Sequence, residues 1–313
     1  MPFRSLPPAP VGGNLPGIAK MLLAGVFFAT MHTAIRHVAN DGVHAFEIAF
    51  FRNLFGLLVV VPWMVRYGLG VLKTTRLDLH AIRAVVGTFS MLSGFYAMAV
   101  APLAQVTALG FSAPIFATLF AIAFWGEKVG IRRWAAILFG FAGTLVTVKT
   151  GFSHGIIDLG LALAIFSAVG SGVGIILIKV SSRTDSAVTI TAYMSLLMAP
   201  IGLIPAYFVW TWPTWDQIAW LLFIGIAGNI GQILYARSLH DGDTNVVMTF
   251  DYLRLMWIAG IAFLAYAEIP DRYTWAGGTM IFASAAYIAY RERFHRQSTT
   301  KPPAGPPAGP PAG

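Results

Sequence analysis

Four ionisable side chains lie inside long apolar runs of this 313-residue chain: Glu47, Arg52, Asp251 and Arg254. A charge at the centre of a lipid-spanning helix costs about 2.5–3.5 kcal/mol on insertion scales, so each needs a partner or a wet cavity. Asp251 and Arg254 are three positions apart, about 60° around a helix, and share a face. Two readings of this pair are open. In one, Arg254 receives an anionic substrate group such as a carboxylate, and Asp251 holds an ammonium group or carries a proton. In the other, the pair is a buried bridge that fixes helix packing. Glu47 and Arg52 are five positions apart, about 140° around the helix, and cannot share a face. Both read as structural anchors, with Arg52 directed to another helix or an aqueous lumen.

Polar residues at helical spacing add further candidates. Asn229, Gln232 and Tyr235 form one stripe, Ser90, Gly94 and Tyr96 a second, and Thr30, His32 and Thr33 a third. Such stripes either make interhelical hydrogen bonds, worth about 0.6 kcal/mol each on average, or line a solvated cavity. Three of them converging beside a mid-span arginine favour the cavity. Trp257, one turn from Arg254, is expected at its border. Other chemistry is poorly supported. With zero cysteines, disulfides, thiolate catalysis, iron–sulfur clusters and Cys-ligated zinc are excluded. The seven histidines are scattered, and neither HExxH nor GxSxG occurs. No cofactor or metal is expected, and a membrane-embedded enzyme is the weaker alternative.

The elements that position these residues follow from composition. Hydrophobic residues make up 57% and charged residues 11%, against about 25% charged in an ordinary soluble domain. With a mean hydropathy of +0.71, the chain is too apolar for one or two water-soluble domains. Ten stretches are long enough to cross a bilayer: about 17–38, 44–65, 79–99, 103–125, 132–150, 156–179, 186–209, 216–237, 243–266 and 273–291. The segments outside them, 1–16 and 294–313, are rich in Pro and Gly, read as disordered, and show no cleaved signal peptide. Trp63, Trp210, Trp212, Trp215 and Trp275 fall near span ends, as an interfacial belt requires.

Lysine and arginine positions give the orientation. With the N-terminus inside, sixteen of the 21 fall in cytoplasmic segments, Arg83 counted among them, and only Arg36, Lys149 and Arg272 lie outside. The net charge of +8 is therefore a topology signal and not a nucleic-acid footprint. Both termini are expected in the cytoplasm of a bacterium, with the chain in its plasma (inner) membrane. The lipid bilayer and a small-molecule substrate are the expected partners, and oligomeric state is not legible.

The chain also repeats itself. Residues 104–140 align with 245–281 at an offset of 141, pairing Glu127 with Glu268 and Trp134 with Trp275. Upstream, Tyr96 falls on Tyr235 at an offset of 139. Five spans per half force the second copy to enter the membrane in the opposite direction, an arrangement common among secondary transporters. The fold expected is an all-α integral membrane protein of ten transmembrane helices in two inverted five-helix repeats, 17–150 and 151–293. Glu127 and Glu268 then close spans at opposite membrane faces, in structural roles.

The segment FSAPIFATLFAIAFWGEKVGIRRWAAILFGFAGTLV at 111–146, with mid-helix Pro114, terminal Gly126-Glu127 and Gly140 and Gly143, resembles the EamA family of the drug/metabolite transporter superfamily. The second copy departs from this pattern, with Leu255 in place of the proline and Ala267 in place of the glycine before Glu268. The resemblance covers roughly 17–293. It implies a plasma-membrane carrier for small metabolites, with export of amino acids, aromatic ones included, as the first expectation. Uptake of a larger metabolite such as S-adenosylmethionine or riboflavin is the alternative.

Overall fold

The computed structural model describes residues 15–125, 131–148, 159–182, 184–241, 247, 250–251, 253–267 and 271–299. Eleven α-helices occupy most of them. The first half contributes α1 (Leu15–Asn40), α2 (Ala45–Tyr67), α3 (Leu77–Val100), α4 (Leu103–Gly110), α5 (Ala113–Trp125) and α6 (Ile131–Val148). The second contributes α7 (Leu159–Ser181), α8 (Ala187–Tyr207), α9 (Trp215–Asp241), α10 (Leu253–Tyr266) and α11 (Arg272–Thr299). Among the described residues six helical stretches are long and apolar enough to cross a membrane alone: those of α1, α3, α7 and α8, residues Ala45–Leu72, and Trp215–Leu239. Shorter apolar helices complete the bundle. Their outward faces remain apolar: Leu58, Phe89, Leu138, Phe166, Ile204 and Leu264 are all exposed. A surface of this kind is stable against lipid rather than water.

The fourth expected span is two helices. The chain breaks at Phe111-Ser112, where the Ser112 N–H bonds to the Leu109 carbonyl at 2.9 Å and its hydroxyl reaches the same oxygen at 2.6 Å. Pro114 thus stands in the first turn of α5 and not in mid-helix. A missing N–H costs nothing there, because first-turn donors have no partner within the helix. The ninth span is described from 253 onward, with 247, 250 and 251 helical before it.

Helix pairing carries the repeat. α1 packs on α9 and α3 on α7, α2 crosses α8, and α6 lies along α11. α10 packs on α1 as α4 and α5 pack on α7. Exchanging the halves (α1 with α7, α2 with α8, α3 with α9, α4–α5 with α10, α6 with α11) maps this pattern onto itself. Pro62 inside α2 and Pro200 inside α8 stand 138 positions apart, marking the same place in each copy. Small residues set the close approaches. A Cβ at Gly143 of α6 would lie 2.7 Å from the Met280 Cβ and 2.8 Å from the Gly277 carbonyl oxygen of α11. A Cβ at Gly170 of α7 would meet the Ser90 Cβ of α3 at 2.7 Å.

The two halves also meet at each end of the bundle through a carboxylate and a threonine. At one end the Thr74 hydroxyl donates to the Asp185 Oδ2 at 2.8 Å, and the His80 Nε2 lies 2.8 Å from the same oxygen. At the other end the Thr211 N–H and hydroxyl donate to the Glu47 Oε1 at 3.1 and 3.2 Å. Asp185 follows Glu47 by 138 positions and Thr211 follows Thr74 by 137, so these contacts are counterparts under the repeat.

Candidate functional site

A cavity of about 330 Å³ opens between the halves, with walls from α1–α4, α7–α9 and the segment at 251–254. Arg254 is its central cation. Its Nη2 donates to the Asp251 Oδ2 at 3.2 Å. The guanidinium carbon lies 5.3 Å from the ring centres of both Phe28 and Phe111, so two aromatic rings hold the side chain. Gly25 on α1 lies against this side chain, at a distance where a Cβ would make ordinary van der Waals contact with the Arg254 Cβ (3.6 Å). Phe111 reaches the site because the chain breaks at its own position between α4 and α5.

Several polar atoms here are buried without a hydrogen-bond partner. They are the Asp251 Oδ1, the Arg254 Nε, the His32 Nδ1 and the Thr107 Oγ1, all on cavity-lining residues. Buried polar groups are nearly always satisfied, so a cluster of open donors and acceptors around one cavity points to a polar ligand. Gln232 and Tyr235 of α9 line the same space, and the Tyr235 ring packs edge-on against Phe28 at 6.3 Å.

The other expected residues separate along helix geometry. Ser90 lines the cavity, but its hydroxyl donates to the Ser167 carbonyl at 2.7 Å and lies 3.1 Å from the Ser171 Oγ, tying α3 to α7. Tyr96, six residues on and roughly 120° away around α3, lines a separate apolar groove of about 630 Å³ bounded by α3, α7 and α8. Asn229 is fully buried and donates to the Ser195 Oγ at 2.8 Å, outside the cavity lining. Trp257 is half-exposed on the outer face of α10. Two successive steps of three residues carry it roughly 120° from Asp251, which turns it away from the cavity.

Glu47 and Arg52 diverge as their spacing requires, Glu47 to Thr211 and Arg52 into the cavity wall. The Arg52 Nη1 donates to the Asn53 Oδ1 at 2.9 Å. Glu127 and Glu268 lie outside the described residues. Arg83 corrects the count of cytoplasmic charges: it is buried in α3, lines the cavity, and donates to the Ile190 carbonyl at 3.2 Å. Its place near the start of the third span hid it among topology charges. Phe28, Phe111 and Thr107 carry no distinguishing signal in so apolar a sequence.

A lipid-facing helical bundle of two related halves around a central polar cavity is the form of a membrane transporter. The model of the EamA-like transporter family matches residues 15–149 and 158–290, one match per half, and the chain belongs to that family. It is 29% identical to an S-adenosylmethionine uptake transporter of Rickettsia bellii, over 88% of this chain and 94% of that protein. It is 27% identical to a riboflavin transporter of Vibrio cholerae, over 89% of this chain and 94% of that protein. A pseudopaline exporter of Pseudomonas aeruginosa is also 27% identical, over 87% and 95% of the respective chains. A solved crystal structure superposes with a TM-score of 0.62 at 18% identity, covering 88% of this chain and 98% of the other, which shows the shared fold.

Proposed function

We propose that this protein is an alternating-access carrier for a small metabolite bearing a carboxylate, with amino acids, aromatic ones included, as the first candidates. The observation that carries this reading is the Arg254–Asp251 pair, with its open hydrogen-bonding atoms between Phe28 and Phe111 in the central cavity. A guanidinium presents paired donors to a carboxylate, an aspartate receives an ammonium group, and flanking rings accommodate an apolar side chain.

Alternation follows from the repeat. With both termini cytoplasmic in the bacterial inner membrane, the Thr74–Asp185 contact closes the inner end and the Thr211–Glu47 contact the outer end. Releasing one while keeping the other opens the cavity to one side at a time. Direction is then set by the gradient offered, so export and uptake use the same machinery.

The second reading, uptake of S-adenosylmethionine, is favoured by the four Rickettsia relatives so named, at 28–29% identity over 94% of their length. Counterflow into proteoliposomes tests both, with labelled amino acids, S-adenosylmethionine and riboflavin in parallel. Exchange of amino acids supports the first reading. Exchange of S-adenosylmethionine alone replaces it with the second, and exchange of none of the three contradicts both.

A further inference from the structure

The cavity is lined by three arginines and one aspartate: Arg52, Arg83, Arg254 and Asp251. Arg254 and Asp251 neutralise each other. Arg52 and Arg83 do not have such a partner. Each is 5% exposed, and their hydrogen bonds run to neutral acceptors only: Arg52 to the Asn53 Oδ1, Arg83 to the Ile190 carbonyl and, at 3.4 Å, to the Met194 Sδ. Among the described residues neither has a carboxylate within ion-pair distance. Two guanidiniums buried this deeply, in helices that cross the membrane, are expensive unless a counter-charge is bound with them.

The geometry points to a second ligand subsite in this cavity, in which Arg52 and Arg83 together bind an anionic group, carboxylate or phosphate, of the transported molecule. The inference rests on the carrier reading and narrows its substrate to molecules that present an anionic group to these two arginines. α2 supplies Arg52 and α3 supplies Arg83, so both arms of the subsite come from the first half. Asp251 and Arg254 face the same cavity from the second half. A molecule with an anionic group at one end and a zwitterionic or polar group at the other bridges the halves. Two guanidiniums impose a sign: cations are repelled from a space that holds two unneutralised positive charges. The Gly228 backbone permits the Arg52 position, since a Cβ there would lie 3.0 Å from the Arg52 Nε.

The test is thermal stabilisation of the purified full-length protein by a panel at matched ionic strength: glutamate, succinate, phenylpyruvate, glycerol phosphate, choline and sodium chloride. A ligand that binds the folded state raises the unfolding midpoint, by an amount that grows with the logarithm of its concentration relative to Kd. At least one carboxylate or phosphate compound is expected to raise it above sodium chloride, and choline is not. The carboxylate and phosphate arms separate the two anion chemistries. Arg52→Gln and Arg83→Gln are each expected to weaken that ligand by at least about tenfold, as loss of a buried charge-assisted contact does. Arg83→Lys keeps the charge and retains part of the binding. Arg66→Gln, at an exposed position, leaves it unchanged. The subsite is overturned when no anion stabilises more than sodium chloride, or when both Gln variants bind as the unsubstituted protein does. Counterflow of a neutral or cationic compound that persists in both Gln variants removes the anion subsite and leaves the carrier reading intact.

Discussion

Asp185 and Thr74 join the two halves at one end of the bundle, hydroxyl to carboxylate at 2.8 Å, as the counterpart of Glu47 and Thr211 at the other end. The carboxylate of Asp185 is almost fully buried and is shared with His80, whose ring stacks on Tyr193 at 4.6 Å. Each contact links one half to the other, so neither survives a rocking motion that opens its own end. On the carrier reading proposed above, they are the points at which the balance between inward-open and outward-open states is expected to shift.

Asp185→Ala removes the inner contact and leaves the outer one, and the cavity is expected to spend more time open to the inside. The natural sequence contains no cysteine, so a single reporter at Gly174 in the cavity wall reports access cleanly. Labelling by a membrane-impermeant maleimide should rise from the cytoplasmic side with Asp185→Ala. Glu47→Ala should raise it from the opposite side.

Asp251→Asn leaves Arg254 beside a neutral amide. The loss of a partly buried charge partner costs on the order of 2–5 kcal/mol where the remaining charge stays desolvated. Transport is expected to fall by at least about tenfold, with the protein still monodisperse in detergent. Flux within twofold of normal would assign Asp251 to packing alone.

Trp257→Ala and Tyr96→Ala are expected to leave flux within about twofold. Trp257 faces outward from α10, and Tyr96 lines the separate apolar groove. A loss of flux as deep as that of an Arg254 variant, at unchanged expression, would place either residue on the substrate path.

Gly143→Ala forces a methyl group to within 2.7 Å of the Met280 Cβ and 2.8 Å of a backbone oxygen on α11. Overpacking of this kind costs roughly 1–3 kcal/mol. The unfolding midpoint in detergent should drop by several degrees. Gly260→Ala, where nothing lies within 4 Å, should leave it unchanged or slightly raise it.

Much of this architecture is written in the sequence because lipid imposes simple rules. Apolar runs of fixed length, with Lys and Arg sorted between the connecting segments, lead to an all-α membrane bundle. The offset between Tyr96 and Tyr235 leads to two related halves. The placement of Asp251 and Arg254 follows from the cost of charge in a span. Other features depend on rotation and on breaks that hydropathy does not register. Phe111-Ser112 interrupts a run whose hydropathy stays high, and the break between α4 and α5 shows locally only as Gly110, Ser112 and Pro114, which hydropathy does not weigh. Arg83 lies near a span end, where a topology charge and a cavity arginine look alike. Trp257 is a candidate by its closeness to Arg254 and Tyr96 by its stripe with Ser90 and Gly94, while cumulative helical rotation turns both away from the central cavity. The Glu47–Thr211 and Asp185–Thr74 contacts join residues over 100 positions apart, and only the folded bundle brings them together.

The most direct measurement is counterflow of labelled amino acids into proteoliposomes containing either the unsubstituted protein or Arg254→Ala, each checked for folding by its elution from a sizing column. Saturable exchange by the unsubstituted protein, abolished by Arg254→Ala at unchanged elution, is the expected result. Exchange that continues at a near-normal rate in Arg254→Ala would contradict a substrate site at Arg254 and return the Asp251 pair to a structural role.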